Sequence, residues 1–545
     1  MGLRAQCFRA LDAAIHCVSS YVLVRNYLTF RDSTVLVNGA EYHTCGRIVV
    51  FGIGKAALGM VKSVVDVLHD HVDSVVCCIP PPTQSETSGT TDVLELQERI
   101  QKLHMFYGSY SNLPTEEIVR GSQLMAEIAE SLDADDMLIV CLTGGGSALL
   151  TLPMEFQSKQ IALHAILETT RLLSQSGAEI CELNTVRSCL DRLKAGGLAS
   201  LARPAQVVTL IISDVIGDPL SFIASGPTVV ADQLPWKRRL ESCLQILKRY
   251  QLLNKVPTVI RQFLESEQSN PTRPEPMNEK VDNWILGNNR VALEAAAESL
   301  RKCCLDNEKG VHVKPVILTT SLSGDSTTKG KMLGEFLWSI ALHLNWLQDH
   351  RTEGLISPYE ETLTHLHAEL AARQTGGVNV IMDMCYELVQ SATETENADP
   401  LVLTILLGGE TTTVGPLSHT LDEEKPVGGR CSHMALSAAV RWYEMAHDKE
   451  LKGLNSGQEV TLLAAASDGL DGPSFGGAGV WVAYPTEPVI TGRLVFDDAV
   501  NALKKKDSYG FFRQHAPSCI IPAKLTDTNV MDIFIGTVMT QLKLK

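Results

Sequence analysis

The chain has 545 residues, of which 45% are hydrophobic and 20% charged, and its formal net charge is -16. That is enough apolar material for large soluble cores, and two α/β domains suit the length. The acid excess excludes nucleic acid or an anionic membrane as the main partner. It does not exclude a small anion. Charges farther than about 8 Å through salt water are largely screened, so a few local cations and backbone N–H groups decide the sign inside a pocket.

The 14 cysteines are scattered, without a C-x-x-C pair. Many sit in apolar runs, such as Cys141 in MLIVCL, and read as reduced core thiols of a cytoplasmic protein. Zinc is not expected, because His69/His71 and His365/His367 are two residues apart and do not share a helix face. No run of about 18 apolar residues is present, so no membrane span is expected. Cys7, Leu11, Ile15 and Val18 predict a first helix. Arg4 and Arg9, with no acid before Asp12, leave a mitochondrial presequence as the alternative.

In chain order, one pattern recurs: a short β-branched run followed by a glycine-rich polar turn. Ile48–Phe51 leads into Gly52-Ile53-Gly54-Lys55. Ser74–Ile79 follows and ends in prolines. Thr115–Leu132 has helical spacing. Leu138–Leu142 leads into Thr143-Gly144-Gly145-Gly146-Ser147, and Val207–Ile212 into Ser213-Asp214. Residues 264–282 are Pro-rich and polar and read as a linker. Val291–Leu300 reads as a helix, and residues 346–400 mix helical segments with polar ends. Leu403–Leu407 leads into Gly408-Gly409-Glu410, and Val460–Ala464 into Ser467-Asp468-Gly469. Strands buried on both faces and alternating with helices predict parallel, doubly wound α/β sheets, with ligands at the carboxyl ends of the strands. The domain boundary is placed near 280, giving domains 1–280 and 281–545.

The turns carry the candidate chemistry. Gly144, Gly145, Gly146 and Ser147 can bring successive N–H groups toward one anion. Gly52 and Gly54 suggest a dinucleotide loop, but the next strand has no acid for the ribose, and Lys55 instead sets a cation where phosphate would sit. Neither a Walker A loop nor a serine-hydrolase elbow is present. Asp214 and Asp218, followed by Ser225 and Gly226, suit Mg²⁺ or an attacking hydroxyl, with helix capping as the plainer reading. Asn184, Arg187, Asp191 and Lys194 fall at helical spacing, either as a solvated ion pair or as a substrate-binding face. Glu410, Gly428-Gly429-Arg430, Asp468 with Asp471-Gly472-Pro473, and Thr526-Asp527-Thr528-Asn529 suggest a second wall of one cleft.

FGIGKAALGM, LTGGGSALL, ELNTVRSCLDRLKAGGLA, LIISDVIGDPLSFIASGPT, LLGGETTTV, AASDGLDGPS and TNVMD occur in this order, and by them the chain resembles the class II glycerate kinases with a C-terminal MOFRL domain. The resemblance runs from about residue 8 to about 536. It implies a Rossmann-like parallel-sheet N-terminal domain and a smaller α/β MOFRL-type C-terminal domain, with the active site between them. It also implies ATP and D-glycerate as substrates, Mg²⁺ as cofactor and 2-phosphoglycerate as product. The family's cleft lysine falls on Lys55 and its cleft arginine on Arg430. A homodimer is carried as an expectation. Three departures stand out: Cys431-Ser432-His433 where the family has N-Q-E, Asp527 where it has Gly, and Ser111-Asn112-Leu113-Pro114 where a His often precedes the Pro. The change at 431–433 keeps open a catalytically degenerate ligand-binding relative, and the Gly52-Ile53-Gly54 turn keeps open a nicotinamide-dependent hydroxypyruvate reductase.

Overall fold

Apolar β-branched runs with glycine at their ends form strands here because both faces of each run can be covered by helices. The computed structural model of the chain describes residues 2–81, 87–109, 113–230, 235–270, 277–305, 312–350, 356–371, 377–394, 400–413, 428–472, 474 and 476–541. The chain divides into two units of similar length. An N-terminal unit comprises Ser19–Asn288 with Asp527–Asn529, and a C-terminal unit comprises Met1–Val18, Asn289–Thr526 and Val530–Lys545.

The N-terminal unit is built on six strands: β1 (Ile48–Ile53), β2 (Val72–Ile79), β3 (Leu103–Tyr107), β4 (Met137–Leu142), β5 (Gln206–Ile212) and β6 (Val281–Gly287). All pairings among them are parallel. Their order across the sheet is β6-β5-β4-β1-β2-β3, the order of a dinucleotide-type doubly wound sheet. The chain winds outward from β1 to β3, then returns to place β4 on the other side of β1. That reversal opens a crevice at the carboxyl ends of β1 and β4. Both central strands are buried along their whole length. Helices α1 (Ala57–Leu68) and α2 (Gly146–Leu149) begin within a few residues of the candidate loops, and α3 (Ile180–Cys189) carries Asn184 and Arg187. A three-stranded antiparallel meander, Leu28–Arg31, Thr34–Val37 and Ala40–His43, precedes β1.

Two apolar clusters support this unit. One lies on the sheet and includes Val49, Phe51, Val140, Leu198 and Ile211. The other is helical and gathers Ile166, Val186, Trp236, Leu240 and Phe263. The helix expected at Thr115–Leu132 runs Glu116–Glu130, and the Thr115 hydroxyl accepts from the Ile118 N–H at its start. The linker or exposed loop expected at 264–282 is shortened at both ends. A helix continues to Ser269, held by the Trp236 Nε1–H donating to the Glu267 carboxylate at 2.9 Å, and β6 begins at Val281. The centre of that stretch, 271–276, lies outside the described residues.

The C-terminal unit holds β7 (His312–Asp325), β8 (Leu401–Thr412), β9 (Glu459–Ala466), β10 (Gly477–Tyr484), β11 (Ile520–Pro522) and β12 (Asp532–Thr540), ordered β7-β8-β12-β9-β10-β11. Only β7 and β8 pair in parallel; the other pairs are antiparallel. The sheet is therefore mixed, where strand–helix alternation predicted a parallel one. The last strand inserts between β8 and β9, and nothing local in its sequence fixes that long-range partner. The stretch 346–400 contains helices Glu360–Ala371 and Gly377–Glu394. The helix Leu3–Cys17 packs on Asn289–Leu305, so it joins the C-terminal unit, whereas a single cut near 280 assigns it to the other. Among the described residues no single helix is long and apolar enough to cross a membrane.

Helices α4 (Ser326–Asp349) and α5 (Arg430–His447) cross closely. A Cβ on Gly334 would stand only 3.0 Å from the Ala438 backbone, and the Trp442 indole N–H donates to the Gly334 carbonyl at 2.9 Å. Trp442 is 1% exposed. Trp442→Ala should cost about 3–5 kcal/mol of stability through the cavity it leaves, read as a lower denaturant midpoint.

Candidate functional site

In the N-terminal unit the turns after β1, β4 and β5 lean on one another. The Lys55 N–H donates to the Gly144 carbonyl at 2.9 Å, and the Ala56 N–H to the Thr143 hydroxyl at 3.1 Å. Side chains at the glycines would prevent this. A Cβ on Gly144 would collide with the Asp214 carboxylate, and one on Gly146 would lie 2.5 Å from the Ala224 Cβ. Gly52 and Gly54 serve packing too, since a Cβ there would strike Val61 or Thr143. The exposed side chain of Lys55 runs across Gly145, with its Cγ 3.3 Å from where a Cβ would be.

The Ser147 and Ser225 hydroxyls are 3.0 Å apart. Ser225 lies in a loop where Gly217, Asp218, Ala224, Ser225 and Gly226 all have positive φ. Such left-handed non-glycine residues cost about 1–3 kcal/mol each and persist only when their surroundings hold them. The holding contacts are the Ala195 and Gly196 N–H groups donating to the Ser225 and Gly226 carbonyls at 2.9 and 2.8 Å. Asp214 Oδ2 accepts from Asn529 Nδ2 at 3.0 Å, and Asp218 Oδ2 from Asn288 Nδ2 at 2.7 Å. Asn529, far along the chain, thus stands with the N-terminal turns. Asn288 was missed by sequence reasoning, although its place just past a strand end was the available signal.

The run 184–194 is not one helix. α3 starts with a capping box between Glu179 and Glu182 and stops at Cys189, so Asp191 and Lys194 lie beyond it. The expected Arg187–Asp191 pair does not form. Asp191 instead pairs with Lys194 at 2.7 Å, and the Lys194 ammonium also donates to the Leu150 carbonyl at 2.5 Å. Asp191 further accepts from the N–H groups of Leu152, Leu193 and Lys194. Lys194 is 2% exposed, and burial, opposed by Asp191, lowers its pKa. The ammonium is consumed in tying the segment after α2 to the segment after α3.

In the C-terminal unit Arg430 begins α5. Its Nε donates to Asp532 at 2.6 Å and its Nη1 pairs with Glu410 at 2.7 Å. Burial works against the guanidinium charge, but these two acids overcome it and raise its pKa. Asp532 is fully buried, and its Oδ1 has no hydrogen-bond partner. Burial, opposed by Arg430, pushes its carboxyl up to about 7. Asp471 accepts from the Cys431 and Ser432 N–H groups, both at 2.8 Å, so a carboxylate of the chain itself caps α5. Neither Asp471 nor Asp532 was recognised as a partner of Arg430. Asp468 closes its own turn by accepting from the Leu470 N–H at 3.1 Å. His433 is buried and meets the Thr327 hydroxyl at 2.9 Å, and burial pushes its pKa down to about 4. The departure at 431–433 is therefore packed into helix contacts. Asp527 bonds Ser20 and lies against Gly59. Ser111, Asn112 and Pro473 lie outside the described residues.

Comparison with known proteins gives the following. Residues 6–265 match a family described as a domain of unknown function (DUF4147), and residues 403–532 match the MOFRL family. Glycerate kinase of Mus musculus is 32% identical over 542 residues, covering 98% of this chain and 93% of that protein. Glycerate kinase of Danio rerio is 31% identical, covering 96% and 95%. Glycerate 2-kinase of Pyrococcus horikoshii is 30% identical over 345 residues, covering 63% and 70%. A crystal structure of glycerate kinase from Thermotoga maritima superposes with a TM-score of 0.64 at 21% identity, covering 98% of this chain and 99% of that one, and shares the fold.

Two outcomes follow from these contacts. Lys194→Met removes the counter-charge of buried Asp191 and should cost about 3–5 kcal/mol in thermal or urea unfolding. Asp532 keeps a proton in the folded state over a range where the unfolded chain has lost it. Its raised pKa makes stability fall as pH climbs from about 4 to about 7. The stability difference between Asp532→Asn and the parent should therefore move in the variant's favour between about pH 5 and about pH 8; a pH-independent difference contradicts the assignment.

Proposed function

This chain belongs to the glycerate kinase family that carries a C-terminal MOFRL domain, and from that premise we propose that it moves the terminal phosphoryl group of ATP onto D-glycerate, giving 2-phosphoglycerate. The supporting observation is the convergence of Lys55, the Gly144–Ser147 turn and Asp214 at the point where the strand order reverses.

The work divides as follows. Lys55 and the glycine turn hold anionic phosphate oxygens. The acceptor hydroxyl gives its proton to Asp214 as its oxygen bonds the phosphorus and the bond from phosphorus to the departing ADP breaks. Catalysis of this kind is mainly positioning and charge stabilisation. Arg430 is assigned to charge stabilisation, with Glu410 and Asp532 fixing its orientation.

Asp214 and Asp218 fit Mg²⁺. They offer hard oxygen donors, and Asp218 Oδ1 is buried without a hydrogen-bond partner. Among the described residues no three His, Cys, Asp or Glu side chains form a metal cage, which suits an ion that takes one or two carboxylates and leaves its other positions to water and phosphate. When bound it neutralises charge on the transferring group. The described cysteines are all free thiols, which supports a cytoplasmic setting.

The test is an ATP-coupled assay with D-glycerate, L-glycerate and glycerol, with product position read by NMR. D-glycerate should be turned over to the 2-phosphate, and Lys55→Ala and Arg430→Ala should each cut kcat/KM by about 10²-fold or more. Stabilisation by ATP without turnover would instead mark a non-catalytic relative.

A further inference from the structure

We infer that Arg187 binds the carboxylate of the acceptor and so makes the chain select a hydroxy acid over a neutral polyol; this deepens the phosphotransfer reading above and rests on it. Arg187 sits in the last turn of α3 and is half-buried. Its one hydrogen bond runs from Nη1 to Asn184 Oδ1 at 3.5 Å, the outer limit for such a contact. Among the described residues no carboxylate comes within ion-pair distance of it. Burial lowers its pKa, with no acid pulling the other way.

The neighbouring charges sharpen this. Lys194 feels the Arg187 charge, so the two cations stand near each other. Asp191 is spent on Lys194 and on three backbone N–H groups. The neighbourhood therefore holds two cations against one carboxylate. A desolvated charge without a counter-charge is costly to the chain alone, and a bound anion removes that cost.

Position and shape say which anion. Lys194 grips the Leu150 carbonyl, and the segment Leu150–Leu152 continues directly from α2, which carries Ser147. Through Lys194, Arg187 neighbours the segment that leaves the glycine turn. Its excess is one positive charge, which matches a monoanion. Its planar fork suits two parallel hydrogen bonds to a carboxylate. A three-carbon 2-hydroxy acid has its carboxylate on the carbon next to the reacting hydroxyl, so pairing here fixes which hydroxyl is presented.

The experiment compares Arg187→Met and Arg187→Lys with the parent on D-glycerate and on D-glyceramide, which lacks the charge, and measures D-glycerate binding by calorimetry. Arg187→Met should raise KM for D-glycerate by about a hundredfold, the worth of a lost charge-assisted pair. KM for ATP and the slow rate on D-glyceramide should stay within about threefold, and Arg187→Lys should restore part of the loss. A rise in KM for ATP instead, or equal losses on both acceptors, overturns the inference. Calorimetry separates the two claims. A parent that binds D-glycerate through Arg187 without phosphorylating it removes the phosphotransfer reading and leaves Arg187 standing. Undiminished D-glycerate binding by Arg187→Met removes Arg187 alone, and a parent that does not bind D-glycerate removes both.

Discussion

Six parallel strands cannot be wound from one edge to the other in this unit, because the chain starts in the middle. β1 is laid first, β2 and β3 extend one way, and β4 must return to the free side of β1. Right-handed crossovers then send the connections beside β1 and β4 to opposite faces, and the space between them cannot be filled by a helix. The crevice is a consequence of winding order rather than of any side chain. The polar groups of the N-terminal cluster follow from it: Lys55, the Gly144–Ser147 turn, Asp214 and Asn288 all come directly after strand ends. Missing Cβ atoms at Gly144 and Gly146 then let the turns close on Asp214 and Ala224.

A net charge of -16 is compatible with anion binding because the two local balances differ. Around α3 Lys194 is matched by Asp191, while among the described residues no carboxylate forms an ion pair with Arg187 or with exposed Lys55. Around Arg430 the acids are in excess, with Glu410 and Asp532 on one guanidinium and Asp471 close by. The second arrangement fixes an arginine rather than advertising a positive surface. Asp532, the most buried of those acids, holds its proton to unusually high pH because its own burial outweighs the pull of Arg430, with Asp471 and Glu410 adding to the rise.

Much of the fold was legible from short-range pattern. Ile48–Phe51, Leu138–Leu142 and Val207–Ile212 announce strands because β-branched runs of that length have few other uses, and the glycine turns mark their carboxyl ends. What escaped depends on distant partners. The antiparallel insertion of β12 between β8 and β9 is a choice among strand edges that no local segment encodes. Lys194 looked like the next turn of a helix, but the helix stops at Cys189 and the lysine turns inward to Asp191. Asn529 lay in a motif of the second half yet bonds Asp214. Arg430 stood out in its Gly-Gly-Arg turn, while Asp532, buried in β12 more than a hundred residues later, gave no sign of holding it.

The central claim is that an anionic nucleotide sits on the turns at the strand-order reversal. Amide hydrogen exchange with and without ATP tests it most directly, because the N–H groups of Gly144, Gly145 and Ser147 are the proposed ligands, those of Lys55 and Ala56 being held by Gly144 and Thr143. The account predicts slowed exchange concentrated at Gly144, Gly145 and Ser147 when ATP is added. Protection elsewhere, with those amides unchanged at saturating nucleotide, would contradict it.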